Sequence, residues 1–279
     1  MDEDAGSMKR IFNNGAGAIV TKSIGLKHRE GYSNPTVIEL DYGILNAMGL
    51  PNPGIDEFQE EIIELKQLKI PIIGSIFASK TSEFTELASK MQKYGADAIE
   101  LNMSCPHAKG FGLEIGSDPK LVYDITSKVK KSIKIPVFVK ISPNLINITE
   151  IAKSAEKAKA DAIVAINTIK AMKIDLDLKT PVLANKVGGY SGKAIKPIGV
   201  YSVFEISKKV KIPVIGVGGI TNGKDALEYI MAGASAVQIG SGIYYRGIDI
   251  FKKICKEMET WMKNHNYKNI SELIGAAHK

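Results

Sequence analysis

Apolar residues along this chain fall into short, nearly continuous runs, and two kinds of run alternate strictly. In one kind an Ala-x-Ala phrase opens the run: GAGAIVTK at 15–22, GADAIELN at 95–102, KADAIVAIN at 159–167 and GASAVQIG at 233–240. In the other, Ile-Pro opens it: IPIIGS at 70–75, IPVFVK at 135–140 and IPVIGV at 212–217. Short apolar runs bounded by Gly and Pro predict strands. Between them apolar residues recur at three-to-four spacing, as in Phe84, Leu87, Ala88 and Met91, or Leu121, Ile125 and Val129, which predicts helices. Strands without in–out alternation, each followed by a helix, predict a parallel sheet covered on both faces.

Seven such strands with no break in composition predict one α/β domain over 1–279, a (β/α)8 TIM barrel, which needs about 250 residues. A closed barrel requires eight. The alternation places the absent one before GAGAIVTK, where residues 1–14 offer only a short helix from Ser7 to Asn14, so the first strand is expected to be missing from this chain. Two connections are longer than a barrel needs. Residues 23–54 carry an expected hairpin (PTVIEL, then GLPNPG) ahead of a helix at 56–68, and residues 168–196 form a loop rich in Gly, Lys and Asp. Both follow C-terminal ends of strands, the face on which barrels build their sites.

Composition narrows the class. A chain 44% hydrophobic and 24% charged has the make-up of a soluble globular protein. No apolar run approaches the roughly 18 residues of a membrane span, and MDEDAGSMKR has no apolar signal core. The net charge of +7 is spread as lysines between glutamates along the helices, a solvated surface rather than a nucleic-acid footprint. Two cysteines, Cys105 and Cys255, build no disulfide framework, which points to a reducing cytoplasm. No His, Cys, Asp or Glu grouping has metal spacing, so no metal is expected.

The candidate chemistry lies at the strand ends. They carry Lys22-Ser23, Ser75, Asn102, Lys140, Asn167-Thr168, Gly216 to Gly219, and Gly240-Ser241-Gly242. Lys or Asn at four ends aimed at one mouth is a constellation and not four separate strand ends. The last two ends are glycine clusters, where missing Cβ atoms let a phosphate approach backbone N–H groups, with Gly188, Gly189 and Gly192 available to complete the cradle. Cys105, three residues past Asn102 in Asn-Met-Ser-Cys-Pro-His, is placed for acid–base or nucleophilic work. Cys255, among Phe251, Ile254, Met258 and Trp261, reads as helix packing.

These motifs resemble the catalytic, flavin-binding subunits of the dihydroorotate dehydrogenases, most closely class 1B. The resemblance runs from about residue 8 to residue 250 through TKSIGLKHREGYSNPT, NAMGLPNPG, ELNMSCPHAKG, VFVKISPN, AINTIKAMKID, PVLANKVGGYSGKAIKP and IGVGGI. It implies FMN at the barrel mouth and oxidation of (S)-dihydroorotate to orotate in pyrimidine biosynthesis, with Cys105 as the base at C5. It implies Lys22 between flavin and substrate; Asn46, Met48, Gly49 and Leu50 on a loop holding the pyrimidine; and Asn102, Asn167 and Thr168 on its ring and carboxylate. Lys140 would lie beside the flavin, with Lys22, Ser23, Asn102 and Ile166 also among its contacts, and Gly192, Gly218, Gly219, Gly240 and Ser241 would cradle its phosphate. A homodimer and a second subunit carrying FAD and an iron–sulfur cluster are also implied.

Three other readings stay open on the residues alone. Ser-Cys-Pro-His, with His107 in place of the more usual asparagine, resembles the dihydropyrimidine dehydrogenases. A barrel aldolase would use Lys140 as a Schiff base. A barrel without its first strand could be a non-catalytic subunit.

Overall fold

The computed structural model describes residues 3–103 and 113–279. Helix α1 (Ala5–Asn13) leads to β1 (Ile19–Val20), followed by the hairpin strands β2 (Val37–Leu40) and β3 (Gly43–Asn46), then α2 (Gln59–Gln67). Next come β4 (Ile72–Ile76), α3 (Thr81–Tyr94), β5 (Ala98–Asn102), the short α4 (Leu113–Gly116), α5 (Pro119–Ser132), β6 (Val137–Ile141), α6 (Ile148–Lys157) and β7 (Ala162–Ala165). Four short strands follow, β8 (Ile169–Ala171), β9 (Ile174–Asp175), β10 (Thr180–Pro181) and β11 (Gly188–Ser191), before α7 (Lys196–Ser207). The chain continues through β12 (Val214–Val217), α8 (Gly223–Met231), β13 (Ala236–Gln238), α9 (Gly242–Arg246) and α10 (Ile250–Asn264).

The seven expected strand phrases become one parallel sheet in the order β1-β4-β5-β6-β7-β12-β13, the curled α/β architecture of a TIM barrel with seven strands among the described residues. Every residue of β5 and of β7 is buried, as two covered faces require. The repeated phrases have a local cause. In GADAIELN and KADAIVAIN the aspartate stands just ahead of the strand. Asp97 Oδ2 accepts from the Ile72 N–H at 2.9 Å, and Asp161 Oδ2 from the Val137 N–H at 2.7 Å. Each also pairs with a lysine of the helix that leads into the neighbouring strand, Lys66 of α2 or Lys130 of α5. At the Lys-Ile-Pro phrases the backbone N–H groups of Lys134 and Ile135 donate to Gln92, and those of Lys211 and Ile212 to Glu156. Helix ends and strand starts are thus locked by the same chemistry at successive steps.

β1 and β13 are the edges of the sheet. The helices flanking them meet: the Lys252 N–H of α10 donates to the Asn14 carbonyl after α1 at 3.3 Å. α1 buries Ala5, Met8 and Ile11, and α10 buries Ile250 and Ile254, all in the main core. Cys255 is exposed rather than packed. It follows Ile254 by about 100° around the helix, which turns it off the buried stripe.

Two expectations are corrected. The partner of PTVIEL in the hairpin is Gly43–Asn46, and GLPNPG runs on as irregular chain. Residues 168–196 are not a free loop: β11 pairs antiparallel with both β3 and β8, so the two long connections merge into one four-stranded sheet, β2-β3-β11-β8. Glycine permits the contact, since a Cβ on Gly43 would stand 2.1 Å from the Ser191 carbonyl.

Asp225 secures the start of α8. Asn222 caps the Asp225 N–H at 3.0 Å, while Asp225 accepts from the Asn222 and Thr221 N–H groups, from the Thr221 hydroxyl, and from Lys196 Nζ at 2.9 Å. Burial pushes this carboxyl up, but the bonds from Lys196 and Thr221 outweigh it and hold it below the ordinary 3.8. Such a carboxylate stabilises the fold above the ordinary value and loses that contribution as pH falls through its lower native value. Asp225→Asn is therefore expected to cost about 1–3 kcal/mol at pH 7. Denaturant unfolding from pH 7 down to pH 3 should show the gap to wild type shrinking only below pH 3.8.

Candidate active site at the C-terminal rim

A cleft of about 220 Å³ opens at the C-terminal ends of β6, β7, β12 and β13. Nine of the residues expected from the sequence line it: Lys140, Ile166, Asn167, Thr168, Gly218, Gly219, Gly240, Ser241 and Gly242. Gly192 does not line it but stands against Gly219, whose added Cβ would lie 2.6 Å from the Gly192 carbonyl. Gly188 and Gly189 do not line it. They stand in β11, where Gly189 is in register with Asn46.

The glycines differ in what they serve. Gly218 and Gly219 have φ of 132° and 69°, and Gly219 packs on Lys196 as well as on Gly192. A side chain there meets protein. A Cβ on Gly240, by contrast, meets nothing within 4 Å. Among the described residues no acceptor meets the backbone N–H of Gly219 or of Gly240. At Gly240 the cleft thus presents a backbone donor beside open space, an arrangement suited to an anion.

Tyr229, fully buried on α8, fixes this loop. Its hydroxyl donates to the Gly218 carbonyl at 2.7 Å, and burial pushes the phenol up, so it stays a donor. The ring fills a slot left by Gly199 and Gly216, where an added Cβ would approach it to 1.8 and 2.4 Å. Asn144 does similar work on the next wall, donating to the Thr168 carbonyl and accepting from the Lys170 N–H, both at 2.9 Å.

A second group of expected residues gathers beside the cleft. Asn102 Nδ2 donates to Ser23 Oγ at 2.9 Å, and Ser23 shares a 2.9 Å hydrogen bond with Ser75, joining the ends of β1, β4 and β5. Asn102 is in register with Lys140, which links the two groups. Lys22 Nζ pairs with Glu3 at 3.0 Å. The third group, Asn46, Met48, Gly49 and Leu50, lies on and after β3. Asn46 Nδ2 donates to the Gly189 carbonyl at 3.3 Å. The carbonyls of Met48, Gly49 and Leu50 are taken by the Tyr32 N–H, Arg29 Nε and Asn52 Nδ2. None of these four lines the cleft. Cys105 and His107 lie outside the described residues.

Sequence reasoning placed Ser75 at a strand end but missed Glu100, Gln238, Asn144 and Tyr229. Glu100 carried a signal, as the one acid inside any strand of the parallel sheet. Tyr229 carried none, because its meaning depends on glycines of other elements.

A curled parallel sheet with lysine, asparagine and glycine convergent on its C-terminal rim defines an α/β-barrel protein with its polar groups gathered where barrels build their sites. Comparison with known proteins makes this particular. The dihydroorotate dehydrogenase family matches residues 1–262. The dihydroorotate dehydrogenase B (NAD(+)) catalytic subunit of Methanocaldococcus jannaschii is 54% identical over 283 residues, covering 100% of this chain and 92% of its own. That of Thermoplasma volcanium is 54% identical over 279 residues with the same coverage, and that of Pyrococcus horikoshii 50% over 272 residues, covering 98% and 89%. The chain belongs to the dihydroorotate dehydrogenase family, flavin-dependent enzymes that oxidise dihydroorotate to orotate in pyrimidine biosynthesis. The dihydropyrimidine dehydrogenase, aldolase and non-catalytic readings give way to it.

Gly240→Val separates the two kinds of glycine. It is expected to unfold within about 0.5 kcal/mol of wild type, as substitutions into open space do, while losing at least ten-fold in flavin affinity. Gly219→Val is expected to lose stability as well. Thermal unfolding beside the flavin absorbance of the purified proteins checks both.

Proposed function

We propose that this chain holds FMN in the rim cleft and oxidises (S)-dihydroorotate with Cys105 as the base. The observation that carries the reading is the convergence of Lys140, Asn167, Thr168 and the backbone donors around Gly219 and Gly240 on one cleft. The residues fit the cofactor: the glycines and Ser241 suit its phosphate, Gly192 and Ile166 its neighbouring atoms, and Lys140 its ring. Bound FMN supplies the acceptor for the hydride that leaves C6 of the substrate.

The chain's own residues do the rest. Cys105, three residues beyond the end of β5, takes the proton from C5, for which its thiol must be ionised by nearby cations. Asn102, Asn167 and Thr168 supply donors and acceptors to the pyrimidine ring and carboxylate, and Lys22 adds a cation where flavin and substrate meet. With the Met48, Gly49 and Leu50 carbonyls already engaged, their N–H groups are the backbone atoms left for an anionic substrate. Ser23 supports Asn102 through their hydrogen bond.

The relatives are named as catalytic subunits of an NAD(+)-dependent enzyme. No Gly-x-Gly-x-x-Gly of Rossmann type occurs in this sequence. A partner subunit carrying FAD and an iron–sulfur cluster is accordingly proposed as the route to NAD, with this chain a homodimer in the cytoplasm. Among the described residues no helix is long and apolar enough to cross a membrane. The β9–β10 hairpin leaves Leu176 and Leu178 84% and 73% exposed, apolar surface available for a subunit contact.

The test separates binding from proton transfer. Cys105→Ala is expected to bind orotate nearly as wild type while its flavin is reduced by dihydroorotate about 10²–10⁴ more slowly, the worth of a positioned proton-transfer group. Cys105→Ser should keep partial activity shifted to higher pH, because a hydroxyl ionises far less readily. Stopped-flow reduction across pH, beside an orotate titration, reads both. Reduction of the Ala variant at the wild-type rate would remove Cys105 from the chemistry.

A further inference from the structure

We infer that Glu100 is a positioning residue of the flavin site, whose buried carboxylate holds Lys140 and Gln238 across the sheet interior and tempers the positive charge that Lys140 presents to the bound ring. The inference rests on the FMN reading above.

Glu100 is 1% exposed, in the middle of a strand buried throughout. Its Oε1 lies 3.4 Å from Lys140 Nζ on the adjacent β6, and its Oε2 accepts from Gln238 Nε2 on β13 at 2.9 Å. β13 stands four places from β5 in the sheet, so this second bond crosses the inside of the curl rather than running along the ladder. Lys140 and Gln238 both line the cleft, and Glu100 does not. The acid therefore touches the site only through two residues that face it.

Packing does not account for an acid here. Its neighbours Ile99 and Leu101 are fully buried aliphatics, and exchanging a buried ion pair for apolar residues of similar volume is often neutral or stabilising. What the carboxylate does supply is placement and charge. It draws the flexible lysine to one side of the cleft, and it offsets part of the ammonium's field. An ammonium near the flavin ring favours the reduced, electron-rich form. The paired carboxylate opposes that preference, so removing its charge without changing its shape should favour the reduced form further.

The experiment uses the full chain loaded with FMN and compares wild type, Glu100→Gln and Glu100→Asp. The readouts are the affinity for oxidised FMN and the midpoint potential of the bound flavin. Glu100→Gln is expected to raise the affinity for reduced over oxidised FMN at least ten-fold, about 30 mV for a two-electron couple. Glu100→Asp, which keeps the charge, should restore most of the wild-type ratio. An unchanged ratio in Glu100→Gln with flavin bound, or an equal shift in both variants, would overturn the inference. Should Glu100→Gln fail to fold, Gln238→Leu tests the same bridge: with less compensation of the carboxylate the ratio should fall at least three-fold, and no change overturns the inference. A wild-type chain that takes up no FMN is a different outcome, since it is the proposed cofactor that then fails.

Discussion

A parallel sheet cannot leave either face in water, because its strands carry apolar side chains on both sides, and this constraint organises the whole molecule. Helices cover the outside of the curl, joined across its two edges by the contact between Lys252 and Asn14. Side chains from the strands fill the inside. Polar groups then gather where strands leave the core, and the cleft and the Ser23–Ser75–Asn102 group both stand there. Glu100 lies inside, tolerated because both of its oxygens have partners.

The rim is built to keep its shape. Tyr229 ties the Gly218 carbonyl to α8, Asp225 ties the start of α8 to Lys196 of α7, and Gly219 packs against that same lysine. Backbone donors aimed at a ligand are most effective when they need no rearrangement to meet it. The stiffness of the cradle therefore comes from ordinary core residues one layer behind it.

How far the sequence could be read follows from where each signal lies. The strand phrases coincide with β1, β4, β5, β6, β7, β12 and β13 because a buried parallel strand must be an apolar run between breakers, a strictly local property. The lysine, asparagine and glycine ends were legible for the same reason, and those of β6, β7, β12 and β13 meet in the cleft. The sheet β2-β3-β11-β8 was not, since its strands are short, glycine-rich and half exposed, and they exist only by pairing with segments far along the chain. Gly219 and Gly240 look alike in sequence, and only the atoms around them show that one is packed and the other open. Glu100 could be noticed but not interpreted, because its partner Gln238 lies 138 residues away.

The sheet formed by the two long connections also bears on the order in which the molecule can assemble. Asn46 meets Gly189 across 143 residues of chain, so β3 has no partner of its own on that side until the second half is made. A chain emerging from the ribosome at about 5–20 residues per second holds that half-formed hairpin for several seconds or more. Pairings of such long range are also the slow step of folding, since the loop must close before any contact rewards it. The cleft also draws on β12 and β13, which follow β11 in the chain, so a nascent first half has no finished site to occupy.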